Sequence, residues 1–526
     1  MDLISVIKRI AQRENVEGQS EYLSTWLSYY EGKQASLNYK IYNGSNYKRR
    51  KRKSLKVPKK LCEDFANFIL NEKCEIVVDG KAQDNLNAFL DKEHFWSKAN
   101  ANYEQAMALS LGAWVEGIEG LQVNDNGEMV GKGKLKVRYI NATKIYPITI
   151  IDGKIVECAF ASENTNYTNL ELHLLDPNTN TYIVRICKLD KSGGVIIDPN
   201  IENNTGIQDF YSGSETPLFQ LVYPNLTNNL NINSSLPISV YANELDKFDC
   251  LDEKYDDFNT EFMNGKRRIF VNSELWNVDV SGEGKVAKTF DENDTLFYSL
   301  HFQDNSKPMI ESSAEALREQ SYINAINSEL TLISMGVGFG KAFYNFEGGS
   351  SRPLQTATAV VAMNSDTIRT IKKHEEVVRT ALIDFVKAVK YLSNTFTDEP
   401  IGEFNDEDIT ILFDDTIFED KETEQTRDRT NVTSGLMSEV EYRMRWFGES
   451  EKDAQTYVYN NLRYKLINNN LQALTSGAMT PIDFVNICYG DKDETTKNEI
   501  ITYISEHIVT SSASSIEDFE NMEETF

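Results

Sequence analysis

Hydrophobic residues recur at helical spacing over several long stretches of the chain, and one of these stretches is unusually extended. From Leu354 to Leu392 apolar side chains return every three or four residues, which predicts a single long helix. At a rise of 1.5 Å per residue this helix would be about 58 Å long if unbroken. A glycine-rich stretch from Gly336 to about Pro353, with almost no helical pattern, precedes it. The sequence therefore predicts a loop with many backbone options joined directly to a rigid rod.

In the first half of the chain, the spacing of hydrophobic residues separates a mainly helical segment from a strand-rich one. Residues 1–130 have a mainly helical pattern with a short β-rich run from Glu75 to Val78, whereas residues 131–225 alternate as antiparallel strands do. An asparagine-rich connection from Asn203 to Ser235 is predicted to be irregular.

Two further helices bracket a short strand-rich module. The first carries apolar residues from Leu245 to Phe262, and its opposite face is acidic. The second is predicted to begin near Ser312, which has the spacing of a capping box with Glu315. About 40 residues of short strands lie between them, too few to bury much core alone. We therefore expect this module to depend on neighbouring copies of the chain.

The C-terminal region contains an internal duplication. The sequence of residues 433–448 is echoed by residues 475–490, and in each copy a glycine ends one helix before a capped helix begins at Ser438 or Thr480. This pattern predicts stacked helical hairpins. The final residues, 511–526, are polar and acidic, and we expect them to be disordered.

Composition places the chain among globular proteins, with 40% hydrophobic and 26% charged residues. No apolar run approaches the ~20 residues that span a bilayer. The N-terminus has the pattern of an amphipathic helix rather than of a signal peptide, so we expect the protein to stay in the cytoplasm in which it is made. Six cysteines lie apart without metal-site or disulfide spacing, which predicts reduced, mostly buried thiols.

The formal net charge of −27 argues against a protein that adheres to nucleic acid over a broad surface. One basic run, from Lys48 to Lys60, opposes this trend. It could be a solvated loop, a contact for an acidic partner, or an anchor for nucleic acid. Nucleic acid is the less favoured alternative because no aromatic residue is interleaved to stack on bases. The candidate contact patch comprises Lys48, Arg49, Arg50, Lys51, Arg52 and Lys53.

Candidate chemistry is sparse. The five histidines lie far apart, and the glycine-rich stretch lacks the spacing of a phosphate-binding loop, with Ala342 where a hydroxyl would be needed. Asp414, Asp415, Glu419 and Asp420 could gather a two-metal nuclease site, but on a strand the first two point to opposite faces. We therefore expect no catalytic residue, no metal and no cofactor, and a protein that is not an enzyme.

The order of these elements is accompanied by four sequence segments: WLSYYEGK, PISVYANELDKFDCLDEKYDDF, TATAVVAMNSDTIRTIKKHEEVV and ILFDDTIFED. Together they resemble the portal proteins of long-tailed double-stranded-DNA bacteriophages, the siphophage-type portal family. The resemblance extends over most of the chain up to about residue 470. It implies an α+β fold with an α-helical stem, a long wing helix, β-rich wing and clip modules and a helical crown.

The resemblance also implies a function. About twelve copies would form a ring at one capsid vertex of the virion, a conduit through which double-stranded DNA is packaged and ejected. Terminase and a head–tail adaptor would dock on the ring, which would also contact the capsid and a scaffolding protein but no membrane.

The anatomy of the family can be transferred to the segments of this chain. It implies a wing over 1–235, stem helices over 236–266 and 308–335, a clip over 267–307, a tunnel loop over 336–354, a long wing helix and strand over 355–420, a crown over 421–510 and a disordered acidic tail over 511–526.

The resemblance assigns candidate roles to the loop before the rod. Lys341 and Arg352 would meet DNA phosphates, and glycines would give the loop its freedom to move. Its phenylalanines would pack between adjacent loops or, equally, serve as buried anchors in their own chain. The candidate loop residues are Gly338, Phe339, Gly340, Lys341, Phe343, Phe346 and Arg352.

The acidic face of the first stem helix would border the channel. Asp249, Asp252 and Asp256 lie on that face, and their negative charge would repel DNA and keep sliding friction low.

Two rival functions remain open from the sequence. One is an oligomeric phage structural or adaptor protein without a DNA channel. The other, less favoured, is a metal-dependent nuclease that would use Asp414 and Asp415.

Overall fold

The computed structural model of the chain divides into two compact units, residues 1–418 and residues 419–526. The structure describes residues 2–42, 46–71, 73–78, 80, 82–120, 122–123, 129–197, 206–266, 268–272, 277–279, 286–288, 297–300, 310–313, 316–341, 343–346, 357–413, 421–490 and 492–505.

Helices dominate the start of the first unit, as the sequence pattern predicts. Its short β-rich run forms a strand, and the start of the basic run unexpectedly forms another, which pairs with the strand before it as a hairpin. The elements are α1 (Leu3–Ala11), α2 (Leu23–Glu31), β1 (Asn38–Tyr42), β2 (Tyr47–Lys51), α3 (Val57–Ile69), β3 (Glu75–Val77), α4 (Ala82–Glu93) and α5 (Phe95–Leu109).

Antiparallel sheets follow, which confirms the strands predicted for residues 131–225. The strands are β4 (Gly112–Glu119), β5 (Gln122–Val123), β6 (Met129–Val130), β7 (Lys134–Asn141), β8 (Ile145–Ile151), β9 (Lys154–Glu163), β10 (Thr168–Asp176), β11 (Thr181–Leu189), β12 (Ile207–Tyr211) and β13 (Phe219–Val222). One sheet has five strands in the order β12-β11-β10-β9-β8, and another has three in the order β13-β4-β7. The asparagine-rich connection is not wholly irregular, because β12 and β13 lie within it.

The N-terminal helix packs on the five-stranded sheet. Its apolar face, including Ile7, shares a buried cluster with strand residues such as Leu172. Just beyond the helix, Arg13 donates two hydrogen bonds to the buried carboxylate of Glu157, at 3.0 and 2.6 Å. Glu157 also accepts from the backbone N–H of Leu175 at 3.0 Å. The ion pair between Arg13 and Glu157, together with this apolar cluster, thus fixes the position of α1 on the sheet.

Two antiparallel helices bracket the strand module. They are α6 (Leu245–Asn264) and α7 (Glu319–Gly336), both shorter than predicted. The strands between them are β14 (Arg268–Asn272), β15 (Asn277–Asp279), β16 (Val286–Lys288), β17 (Phe297–Leu300) and β18 (Ile310–Ser313).

The predicted start of the second helix at Ser312 is wrong. Ser312 belongs to β18, which pairs antiparallel with β14, and Arg318 occupies the N-cap position instead. Capping-box spacing is a local signal, and the hydrogen bonds of a strand pair outweigh it here. Glu315 lies outside the described residues.

The predicted rod is present as α8 (Ala357–Phe396), a helix of 40 residues. At 1.5 Å per residue it is about 60 Å long. Most of its predicted stripe is buried in the main core, where Phe385 stacks on Phe95 with ring centroids 4.5 Å apart. Strand β19 (Thr410–Leu412) follows and pairs with β3. The long helix is therefore the central support of the first unit.

The second unit is helical, as the duplication predicts. Ser438 and Glu441 form the predicted capping box, and Thr480 caps the equivalent helix by accepting from the N–H of Asp483. The copies differ at their ends, because Gly448 is left-handed at φ 65° whereas Gly490 has no positive φ. The helices are α9 (Lys421–Thr433), α10 (Glu439–Phe447), α11 (Glu451–Thr475), α12 (Pro481–Cys488) and α13 (Glu494–Tyr503).

Among the described residues, no helix combines the length and the hydrophobicity needed to cross a bilayer. All six cysteines are free thiols, and only Cys250 is exposed, which confirms the prediction of reduced and mostly buried thiols.

Candidate functional site

The segment after α7 begins in close contact with the long helix α8. Gly338 has a φ of +86°, and a Cβ added there would lie 2.4 Å from Thr370 Oγ1. Thr370 Oγ1 donates a hydrogen bond to the Gly338 carbonyl at 2.7 Å, and the Gly340 N–H donates to Thr367 Oγ1 at 2.9 Å. Glycine at 338 is thus required by a left-handed backbone and by a close approach. Two threonines attach the start of the predicted loop to the rod.

Aromatic side chains hold the middle of this segment inside the chain. Phe339 is 2% exposed and stacks on Phe65 of α3 with centroids 4.4 Å apart. Phe343 is half-buried, 4.4 Å from the Phe339 ring and 5.8 Å from that of Phe68. These two phenylalanines are therefore anchors within their own chain, which is one of the two alternatives that the sequence left open.

The end of the described segment contacts the helices α3, α6 and α7. Tyr344 donates a hydrogen bond to Asp64 at 2.8 Å, and burial together with this carboxylate raises the pKa of the phenol well above its usual value. The backbone N–H of Phe346 donates to Asn327 Oδ1 at 2.8 Å. The Phe346 ring lies 5.8 Å from that of Phe258. Phe346 is thus also an intramolecular anchor, against both helices of the antiparallel pair.

The two cations predicted to meet phosphates have different positions. Lys341 is exposed in a turn between the buried Gly340 and the half-buried Phe343. Arg352 lies outside the described residues, together with Ala342 and residues 347–356. Their contact with DNA stays a prediction.

The acidic face of α6 is turned toward the N-terminal segment of the same chain. Asp249 accepts hydrogen bonds from Tyr29 Oη at 3.0 Å and from Ser36 Oγ at 2.5 Å. Asp256 accepts from Tyr39 Oη at 3.1 Å and from the Lys53 N–H at 3.1 Å. Both carboxylates are half-buried and have intramolecular donors.

Asp252 lies between them and is only 5% exposed. It accepts hydrogen bonds from Gln34 Nε2 at 3.0 Å and from the Leu55 N–H at 3.2 Å. Burial raises its pKa to about 6 despite these donors. The N-terminal segment covers Asp252, which does not favour a channel-facing position, and that role stays a prediction. For Asp249 and Asp256 a channel-facing role stays a prediction that their intramolecular partners do not favour.

The basic run begins as a strand, and its last residues belong to the first turn of α3. Its residues 48–51 lie on β2 and are exposed. Arg52 turns inward, where it donates to the Ser36 carbonyl at 2.8 Å and pairs with Glu253 of α6 at 2.7 Å. Lys53 Nζ donates to Asn259 Oδ1 at 3.1 Å. One end of the candidate patch is therefore joined to the acidic helix, while the other is open to solvent.

The carboxylates of the nuclease alternative, at positions 414, 415, 419 and 420, lie outside the described residues. In the part of the chain that the structure describes, no three His, Cys, Asp or Glu side chains are grouped so that they could hold a metal ion. His374 is buried, accepts a hydrogen bond from the Asn225 N–H at 2.9 Å, and has its pKa lowered to about 4 by burial. This histidine has a structural position in the core.

The residues that hold the segment after α7 in place, and those that cover the acidic face of α6, were not identified from the sequence. Thr367 and Thr370 could have been noticed, because they lie near the core-facing stripe of a helix whose period was evident. Asp64, Gln34 and Ser36 gave no such signal, since their partners are distant in sequence.

Comparison with known proteins gives one extensive match. A family described as "Phage portal protein, SPP1 Gp6-like" matches residues 14–455, which is well over half of the chain. No curated protein matches it.

Among solved structures, the chain is similar to one in "Neck of native GTA particle computed with C12 symmetry", with 9% identity, a TM-score of 0.38, and coverage of 84% of this chain and 97% of that chain. It is also similar to one in "Virion of native gene transfer agent (GTA) particle", with 10% identity, a TM-score of 0.40 and the same coverage of 84% and 97%.

Proposed function

The chain belongs to the family of phage portal proteins of the SPP1 Gp6-like type, and from this membership we propose that about twelve copies form a ring at one capsid vertex. Double-stranded DNA passes through the axis of the ring when it is packaged and again when it is ejected. Terminase docks on the ring during packaging, and a head–tail adaptor replaces it afterwards. The role is structural, since the ring guides DNA while a separate motor supplies the energy.

The family match over residues 14–455 carries this proposal, because it includes both bracketing helices, the strands between them, the segment after α7 and the rod. We assign α6 and α7 to the stem and the strands between them to the clip. Residues 1–235, the rod and β19 form the wing, and the helices of the second unit form the crown.

The pairing of α6 with α7 supports the assignment of a stem. Lys254, in the middle of α6, pairs with Glu329 of α7, and Glu261, near the C-terminal end of α6, pairs with Arg318 at 2.8 Å. Between these ion pairs the rings of Phe258 and Tyr322 are 6.3 Å apart. The two ion pairs and the aromatic contact between them hold the C-terminal half of α6 antiparallel to α7, as a stem that carries a clip at its tip requires.

The anchored segment suggests which residues act on DNA. We propose that Lys341 and the residues that follow Phe346, Arg352 among them, contact the passing duplex. The support is that Phe339, Phe343 and Phe346 are occupied by intramolecular packing and so hold the base of the loop.

Electron microscopy of the purified full-length chain tests the proposal. We expect closed rings of about twelve copies with an axial hole wide enough for duplex DNA. Rings without such a hole would favour an adaptor, and a chain that stays monomeric under every assembly condition would overturn the proposal.

A second assay addresses the nuclease alternative. Plasmid DNA incubated with the purified protein and Mg²⁺ should stay intact. Cleavage that Asp414→Ala or Asp415→Ala abolishes would contradict a purely structural role.

A further inference from the structure

The β1–β2 hairpin is a concentrated region of positive charge in an acidic chain. Residues 38–53 contain seven lysine or arginine residues and no aspartate or glutamate, whereas the whole chain carries a net charge of −27. A local field of this sign attracts polyanions. The seven cations are Lys40, Lys48, Arg49, Arg50, Lys51, Arg52 and Lys53.

The two faces of the hairpin have different surroundings. On the inner face, Tyr39 donates to Asp256 at 3.1 Å and the Arg52 guanidinium lies 4.9 Å from the Tyr39 ring centroid. Arg52 also pairs with Glu253. These contacts fix the hairpin on α6 and so make it a supported ribbon rather than a loose extension.

The outer face carries cations and phenols together. The strand register places Lys40 opposite Arg49 and Tyr42 opposite Tyr47, so that these side chains share one face. Lys51 is on the same face, opposite Asn38. The tyrosines are 58% and 71% exposed, and their ring centroids are 5.2 Å apart.

Pairing thus places two tyrosine hydroxyls beside the cations of the basic run. The sequence argument against nucleic acid concerned stacking on bases, which contact with the phosphate backbone of a duplex does not require.

We propose that this outer face, defined by Lys40, Tyr42, Tyr47, Arg49 and Lys51, binds the phosphate backbone of duplex DNA without reading its sequence. Arginine, lysine and tyrosine side chains are common donors to phosphate oxygens. Same-face residues on a strand are about 6.7 Å apart, which lets neighbouring side chains reach different phosphates. The site uses other residues than Lys341 and Arg352 of the proposed function and rests on that function only for the presence of DNA.

A second copy of the chain is the competing partner, because its surface is acidic. The acidic face of α6 would be the natural target for the hairpin. In each copy, however, the N-terminal segment already occupies it, since Asp249, Asp252 and Asp256 accept their hydrogen bonds from residues 29–55. This occupancy favours DNA as the ligand of the outer cations.

The test compares two variants of the full-length chain that remove the same charge. One is Lys40→Gln/Arg49→Gln/Lys51→Gln on the outer face. The matched control is Lys144→Gln/Lys191→Gln/Lys465→Gln, three exposed lysines far from the hairpin in sequence. Binding of a fluorescent DNA duplex is measured by anisotropy from low to moderate salt, and assembly is measured by light scattering.

We expect the hairpin variant to bind more weakly than wild type and the control variant to bind as wild type does. Each phosphate contact contributes about 0.9 to the slope of log K against log salt, so three lost contacts should reduce the slope by about 2.7. Assembly should be unchanged in both variants.

Two results would overturn the proposal. One is DNA binding by the hairpin variant with wild-type affinity and slope. The other is loss of assembly in the hairpin variant alone, which would assign the outer face to a contact between copies. Failure of the wild-type chain to form rings would instead contradict the proposed function, and DNA binding by the unassembled chain would still be measurable.

The double variant Tyr42→Phe/Tyr47→Phe tests the phenols with little risk to folding. It keeps both rings and removes both hydroxyl donors, so we expect weaker binding with a nearly unchanged salt slope. Wild-type affinity in this variant would remove the tyrosines from the proposed site.

Discussion

The buried carboxyl of Asp252 makes the stability of the first unit depend on pH in a way that one substitution can isolate. Asp252→Asn removes the charge while the new amide can still accept from the Leu55 N–H. Its NH₂ group can donate to Gln34, whose Oε1 is buried without a hydrogen-bond partner, once the Gln34 amide turns over. The substitution therefore changes charge with little loss of hydrogen bonding.

The magnitude follows from the shift of the pKa. Burial raises the pKa of Asp252 from 3.8 to about 6, so the folded protein binds a proton between these values that the unfolded chain does not bind. The contribution of this carboxyl to stability therefore increases as pH falls through 6 and is complete below 3.8. Above pH 6 the ionised form costs up to about 3 kcal/mol, of which about 1.4 kcal/mol is recovered by pH 5.

The assay is urea unfolding of wild type and variant at pH 8 and pH 5, followed by tryptophan fluorescence. We expect the variant to be more stable at pH 8 by about 1 to 3 kcal/mol and the difference to shrink by about 1.4 kcal/mol at pH 5. Asp246→Asn, which removes an exposed carboxyl from the same helix, controls for net charge. A difference that is the same at both pH values would show that ionisation of Asp252 does not destabilise the fold. A variant less stable than wild type at pH 8 would show that the ionised carboxylate stabilises the fold.

Three further predictions follow from single contacts. Gly338→Ala should lower the free energy of unfolding of the first unit by about 2 to 4 kcal/mol, because the new Cβ would clash with Thr370 of the rod and the backbone there is left-handed. The control Gly153→Ala, at a left-handed position with open space around it, should cost about 1 kcal/mol. Equal melting temperatures of the two variants would contradict the predicted clash. Burial opposes ionisation of Glu157, yet its hydrogen-bond donors together lower its pKa below 4.5. Arg13→Ala should therefore cost about 2 kcal/mol of stability at pH 7 and less as pH falls below 4.5. Hydrogen exchange should show reduced protection in α1. Tyr344→Phe removes a hydrogen bond to a carboxylate and should cost about 1 to 2 kcal/mol by urea unfolding; no change in stability would show that this bond contributes nothing.

Sequence periodicity predicted elements well where one side chain pattern decides the structure. The rod was predicted from Leu354 to Leu392 and observed from Ala357 to Phe396, since a core-facing stripe repeats along it. The caps at Ser438 and Thr480 were also correct, because each depends on residues within one turn. The predicted cap at Ser312 failed because a strand pair formed with residues about 40 positions away.

The candidate site was less predictable for the same reason. The segment after α7 was recognised by its glycines, but its aromatic residues find their partners on α3, more than 250 residues earlier. The acidic face of α6 was read as open because its cover, the N-terminal segment, is about 200 residues away. A helical pattern identifies a polar face but does not identify what lies against it.

The succession of helices and strands, the family and the excess of negative charge follow from the sequence, because each depends on composition or on residues close along the chain. Which charges are exposed follows only from the packing of distant segments. This packing buried Asp252 and attached Arg52 to the acidic helix, and it placed tyrosines beside the outer lysines of the hairpin. Burial and cross-strand register are set by contacts between residues far apart in sequence, and local periodicity carries no information about such contacts.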